Sequence, residues 1–222
     1  MSVWQDQEDN PTTAAQSAMK DAVFKIECTH LPVDHARALT DTLCECVPWL
    51  AEHTGAGVHP IHVAGSQNGW QRPESNSGEP LILSKRTRLR IRVPTAQADS
   101  LINALTGTSH TIGGQSLTIT AGRAATLTAA TTLFSRYAVY TSMPTDENEF
   151  LQCVVNDCQA IGYQPVKLLC GKSNYLSTPT GRLEAKSILI ADVPPEYSLP
   201  LQEQGLGDFR LMGCGLLIPH KD

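Results

Sequence analysis

Histidine titrates near neutrality, so it can give or take a proton at physiological pH. Two of this chain's seven histidines, His59 and His62, lie three residues apart in GVHPIH, a stretch framed by Gly57 and Pro60. A histidine held in such a loop can act as a general acid or base. Most histidines are instead surface groups or packed side chains, and residue type alone leaves both readings open. His30 and His35 fall at the start of a helical pattern, where packing is the commoner role, and His53, His110 and His220 carry no pattern.

Anion-binding chemistry is written in three other places. In RLRIRV (88–93), Arg88, Arg90 and Arg92 share one face of a strand, with Leu89, Ile91 and Val93 on the other. With Arg86 they project every second residue, about 6.6–7 Å apart, close to the phosphate spacing of a nucleic-acid strand. A solvated strand edge is the plainer alternative. Lys172, Arg182 and Lys186 form a second basic stretch, where Tyr175 can stack on a base. The third is GLGDFRLMGCG (205–215), in which Gly205, Gly207, Gly213 and Gly215 let backbone amides approach phosphate oxygens. A tight pair of turns explains those glycines equally well. The segment carries one cation, Arg210, and lacks the Gly-Lys-Ser/Thr ending of a triphosphate-binding loop.

No metal site or cofactor is expected. Cys44 and Cys46 lie two apart on a helix and point about 200° apart, and Cys153 and Cys158 lack a histidine at ligand spacing. Seven irregularly spaced cysteines indicate reduced thiols and a cytoplasmic protein rather than a disulfide framework. The acidic, polar first residues are not those of a secretory signal, and no apolar run approaches membrane-spanning length.

The 222 residues have a formal net charge of -5, which taken alone argues against nucleic acid. Resolved along the chain, residues 1–84 carry a net charge of -7, while 85–92 hold 5 of the 17 cations and no acid. That asymmetry points to one localised anion-binding face.

The elements that must position these residues follow from periodicity. A flexible tail (1–20) precedes the strand AVFKIECT (22–29). Asp34 is placed to cap a helix carrying Leu39, Leu43, Val47 and Leu50 inward, ending at Gly55 and Gly57. An irregular stretch (57–80) leads to LIL and RLRIRV, then to a helix opened by Pro94-Thr95 and a strand pair turned by Gly113-Gly114. That order is the ferredoxin-like plan. A looser copy follows: strand 133–141, a helix capped by Thr145, strand 166–170, the basic hairpin, strand 185–193, the glycine-rich loop and a short strand. The predicted fold class is α+β, with two tandem ferredoxin-like units (21–125 and 126–222) built on antiparallel sheets.

The ending GLGDFRLMGCGLLIP, preceded by LPLQEQ, resembles the C-terminal signature of the CRISPR-associated repeat-cleaving endoribonucleases (the Cas-six family of the RAMP superfamily). LPVDHARAL, GVHPIHV and RLRIRVP resemble the myxobacterial-subtype branch of that family. The resemblance spans about residues 22–219 and implies two ferredoxin-like halves. It also implies metal-independent cleavage of CRISPR repeat RNA, in which a 2′-hydroxyl attacks the adjacent phosphate to leave a cyclic phosphate and a 5′-hydroxyl. The family's catalytic histidine lies just after the first helix, which makes His59 the first candidate and His62 the reserve. Implied partners are the repeat hairpin, the mature guide RNA and other subunits of an effector complex, with no membrane. A non-catalytic guide-RNA-binding RAMP subunit is the alternative. Asp208-Phe209-Arg210-Leu211 departs from the more basic loops of close relatives, which leaves backbone contacts and Phe209 stacking as that loop's expected contribution.

Overall fold

The alternation of Val23, Lys25 and Glu27 against Phe24 and Ile26 produces the strand β1 (Met19–Glu27) in the computed structural model. The structure describes residues 17–63, 73, 79–142, 144, 146–178 and 181–220; the expected tail up to residue 16, most of the irregular stretch after Val63 and the predicted cap Thr145 lie outside them. After β1 come β2 (His30–Leu31), α1 (Ala36–Cys46), α2 (Trp49–Glu52), β3 (Gly57–His59), β4 (Leu81–Ile82) and β5 (Arg88–Pro94). A 3-10 turn (Thr95–Gln97) then leads into α3 (Ala98–Leu105), β6 (Ser109–Ile112) and β7 (Gln115–Thr126).

The expected first helix is broken in two. Pro48 lacks an N–H and its ring clashes with the carbonyl four residues back, so α1 stops at Cys46 and α2 restarts after the proline. Asp34 does not cap α1, whose N-cap is His35 without a side-chain bond; the Asp34 carboxylate accepts instead from the Ser177 amide at 3.0 Å.

The first antiparallel sheet runs β3-β5-β1-β7-β6. Phe24, Ile26, Leu89 and Ile91 pack with Leu39 and Leu43 of α1 and Leu101 and Leu105 of α3 into its core. Each such side chain contributes about 1.5–3 kcal/mol on burial.

The second unit comprises β8 (Leu133–Ala138), α4 (Glu147–Ala160), β9 (Lys167–Thr178), β10 (Gly181–Ala191), α5 (Pro195–Gln204) and β11 (Ile218–Pro219), with sheet order β11-β8-β10-β9. The helix α4 is capped by Asp146, whose carboxylate accepts from the Glu149 amide at 2.9 Å. With the edge strand β6 set aside, both units place their four strands in the same relative order, fourth, first, third, second, so the chain is two ferredoxin-like units in tandem. The basic hairpin is not a loop between short strands: β9 and β10 pair out to Thr178 and Gly181, with one bulge between Lys186 and Ile188. The helix α5 is an element the sequence pattern hid. Its prolines read as breaks, yet Pro195 occupies the first helical turn, where a missing N–H costs nothing.

Polar contacts join the units. Thr40 donates to the Leu211 carbonyl at 2.7 Å, and the Arg210 Nε donates to the Gly55 carbonyl at 2.9 Å. Arg92 on β5 donates to the Gln202 and Leu217 carbonyls at 2.9 and 2.8 Å.

Candidate active site

Strand register fixes the site. On β5, Arg90 lies between Val23 of β1 and His59 of β3, and Arg92 lies between Asp21 and Gly57. Cross-strand partners share a face, so His59, Asp21 and the arginines stand together on the side of the sheet away from α1 and α3. His35 secures this arrangement from beneath. It is buried at the N-cap of α1, where Nδ1 bonds the Pro32 carbonyl at 2.8 Å and Nε2 accepts from the Ile61 amide at 3.0 Å. That bond tethers the chain two residues beyond His59, so His35 is a packing histidine.

His59 is only 13% exposed, and its Nε2 lies 3.6 Å from Asp21 Oδ1, outside hydrogen-bond range, with no other partner among the described residues. Burial pushes the imidazole pKa below the ordinary histidine value, and Arg90 and Arg92 add to that, while the Asp21 carboxylate opposes it. The ring is therefore neutral at pH 7 and able to accept a proton. For Asp21, burial opposes ionisation, but His59 and Arg92 outweigh it and hold the carboxyl well below the usual carboxylate range.

These residues open onto a cleft of about 580 Å³ between the units. From the first unit, His59, His62, Arg86, Arg88, Arg90 and Thr126 line it; from the second come Arg136, Gln202, Leu216 and Ile218. His59 and His62 thus meet in one place with Arg86, Arg88 and Arg90. Arg88 also donates to the Lys85 and Thr87 carbonyls at 2.8 Å each, which fixes the turn before β5. Two of the buried side-chain atoms without a partner, His59 Nε2 and Gln202 Oε1, belong to residues of this cleft. Buried polar atoms are normally satisfied, so Gln202 Oε1 is suited to a polar ligand, while His59 Nε2 faces the Asp21 carboxylate.

Sequence reasoning missed Asp21 and Arg136. Asp21 follows Lys20 in a strand that also carries Lys25 and Glu27, so nothing local marks it. Arg136 is the single cation in LFSRYAVYT, an isolated charge that was its available signal, and its guanidinium stands 5.5 Å from the Phe134 ring centre.

Several expected anion contacts are spent inside the protein. Arg92 is 1% exposed and bonds Asp21 and two carbonyls, so it is an internal bridge rather than a surface group. Arg210 ties down the end of α5, donating to the Gln204 and Glu203 carbonyls at 2.5 and 2.7 Å as well as to Gly55. Burial and the like charge of Arg92 pull its pKa down to about 10, still far above neutrality, so it stays charged.

The glycine amides are likewise engaged: Gly205 with the Leu201 carbonyl, Gly207 with the Asp157 carboxylate, Gly213 with the Arg210 carbonyl and Gly215 with the Tyr137 carbonyl. They form no phosphate cradle. Asp157 also accepts from the Tyr140 hydroxyl at 2.7 Å, and Asp208 accepts from the Thr141 amide and hydroxyl, each at 2.7 Å. Asp157 on α4 and Asp208 within the loop thus anchor it. Phe209 is held at φ 59° and is 37% exposed. A bulky residue rarely adopts that conformation.

Lys172, Arg182 and Lys186 stand on the β9–β10 hairpin, outside the cleft. The Arg182 guanidinium lies 5.6 Å from the Tyr175 ring centre, and the Lys186 ammonium 5.5 Å from that of Phe150. Among the described residues, no group of three or more His, Cys, Asp or Glu side chains is arranged to hold a metal ion. No helix among them is long and apolar enough to cross a membrane.

The family model for Cas6 (Cas6 Crispr) matches residues 21–222. The chain belongs to the Cas6 family. A CRISPR-associated endonuclease Cas6 from Myxococcus xanthus (strain DK1622) is 28% identical over 199 residues, covering 90% of this chain and 80% of that protein. Among solved structures, one described as a RAMP protein binding different RNA substrates aligns with TM-score 0.61 at 13% identity, over 91% of this chain and 100% of that one. A CRISPR-associated protein Cas6 aligns with TM-score 0.61 at 10% identity, over 91% and 100%. A Cas6-related protein from Pyrococcus furiosus aligns with TM-score 0.56 at 11% identity, over 90% and 97%. These three structures share the fold of this chain.

Proposed function

We propose that this Cas6-family protein is an endoribonuclease that processes CRISPR precursor RNA, cutting within the repeat by metal-independent transesterification. The observation that carries this reading is that His59 lines one cleft with arginines from both units, and burial lowers its pKa so that it favours the proton-accepting form.

RNA supplies its own nucleophile. His59 takes the proton of a 2′-hydroxyl, the oxygen attacks the adjacent phosphorus, and the bond to the 5′-oxygen breaks. The products are a 2′,3′-cyclic phosphate and a 5′-hydroxyl, the leaving oxygen taking its proton from water; His62 stands in the same cleft as the reserve for His59. Arg88, Arg90 and Arg136 face the phosphate as negative charge builds in the transition state. Arg86 extends the track for the backbone, Lys172, Arg182 and Lys186 hold RNA outside the cleft, and the exposed Phe209 offers a stacking surface. The protein works in the cytoplasm, stays on the mature guide RNA and joins the other subunits of an effector complex.

The test is single-turnover cleavage of a repeat hairpin in EDTA, with the product ends mapped. A cut leaving cyclic phosphate and 5′-hydroxyl ends is expected, slowed by roughly 100- to 10,000-fold in His59→Ala with repeat binding nearly intact. Tight binding without any cut would make the protein a guide-RNA-holding subunit. Unchanged cleavage in His59→Ala would move the chemistry to His62.

A further inference from the structure

We propose that Asp21 is a positioning residue for His59: its carboxylate holds the imidazole protonated on Nε2 and leaves the lone pair on Nδ1 for the 2′-hydroxyl proton. The assignment rests on the catalytic reading above and adds to it the tautomer and the group that selects it.

The geometry gives Asp21 two tasks. Its Oδ1 is pinned by the Arg92 Nε at 2.9 Å, with Oδ2 near Nη2 at 3.4 Å, so the carboxylate cannot swing away. The same Oδ1 faces His59 Nε2 at 3.6 Å. An ionised carboxylate only accepts hydrogen bonds, so a neutral imidazole facing it is more stable with its proton on Nε2. Hydrogen bonds of this kind lengthen in the free enzyme and tighten in the reacting complex.

Charge makes Asp21 necessary during the step. When Nδ1 takes the 2′-hydroxyl proton, the P–O2′ bond forms, the P–O5′ bond breaks with its electron pair on O5′, and His59 becomes an imidazolium. The charged groups around that ring are Arg90 and Arg92 from β5 and Asp21 from β1, with Arg210 acting on Asp21 from the second unit. The arginines repel the new positive charge, and Asp21 supplies the negative charge that offsets them.

The decisive measurement is nitrogen NMR of the full-length protein labelled with 15N-histidine, with the His59 signals assigned by their loss in His59→Ala. The expected pattern at alkaline pH is that of the Nε2-protonated tautomer. An Nδ1-protonated pattern overturns the proposal, and because this measurement needs no change at Asp21, it decides even if variants there fail to fold.

The second measurement is the pH profile of single-turnover cleavage by Asp21→Asn. The plateau rate is expected to fall by about 100- to 10,000-fold, as when the carboxylate behind a catalytic histidine is neutralised. The limb due to His59 is expected to move to lower pH, because the lost carboxylate had been raising the ring's pKa. A loss of amplitude equal at every pH, with the limb unmoved, would make Asp21 purely structural and overturn the proposal. Wild-type protein that leaves the repeat uncut overturns the catalytic reading itself, whatever tautomer NMR finds.

Discussion

The ring of Pro60 fills the space that a side chain would take on Gly213. A Cβ built on that glycine would overlap Pro60 Cδ, and the Val58 carbonyl lies 2.7 Å from the same point. The glycine-rich loop therefore braces the segment on either side of His59.

This contact makes Gly213→Ala an informative variant. Its φ of +82° disfavours any Cβ, and the added methyl collides with the histidine loop. Single-turnover cleavage is expected to fall by about tenfold or more, as misplacement of a catalytic group does, alongside a stability loss of about 1–3 kcal/mol. Gly114→Ala is the control: its φ is also +82°, but nothing lies within 4 Å of the new Cβ. It should lose stability and keep its cleavage rate.

Cleavage should rise with pH and then level off. The folded-state pKa of His59 lies below the ordinary histidine value of about 6.5, so the neutral base is present at neutrality and is lost on acidification. Single-turnover rates between about pH 5 and 8 should show a one-proton limb with its midpoint below 6.5. A midpoint above that value would assign the limb to another group.

Arg90 and Arg92, two residues apart on β5, should fail in opposite ways. Arg90→Ala should keep its melting temperature but weaken repeat binding, reducing the salt slope by about 0.7–0.9 for the lost phosphate contact. Arg92→Ala leaves Asp21 buried and unpaired, at a cost of about 3–5 kcal/mol and roughly 10 °C in melting temperature. Thermal melts and salt titrations of the two variants separate these outcomes.

Arg210→Lys tests whether the loop's single arginine meets RNA. Lysine keeps the charge but not the fork that reaches the Gly55, Gln204 and Glu203 carbonyls. Stability should drop by about 2–4 kcal/mol, with the salt slope of RNA binding unchanged. An altered slope would put Arg210 on the phosphate backbone.

Much of the fold was legible because burial follows period. Leu89, Ile91 and Val93 alternate, and all three are fully buried as that alternation requires. Periodicity reports only the sheet to which a strand belongs. Arg92 repeats the pattern of Arg88 and Arg90, but the second unit docks over its end of the strand, and only tertiary structure reveals that cover. The four glycines marked close backbone approach correctly, yet the partner is protein, as Gly213 against Pro60 illustrates. His59 stood out because glycine and proline frame it, whereas Asp21, which faces it, lies 38 positions earlier and has no local mark.

Arg92 also sets an order of events during synthesis. Its carbonyl partners on Gln202 and Leu217 are separated from it by 110 and 125 residues. A nascent chain that has folded only its first sheet holds a cation and its aspartate at an end that nothing yet covers. The cleft beside His59 is lined from the second unit by Gln202, Leu216 and Ile218, so its wall takes shape only once those late-made residues are in place.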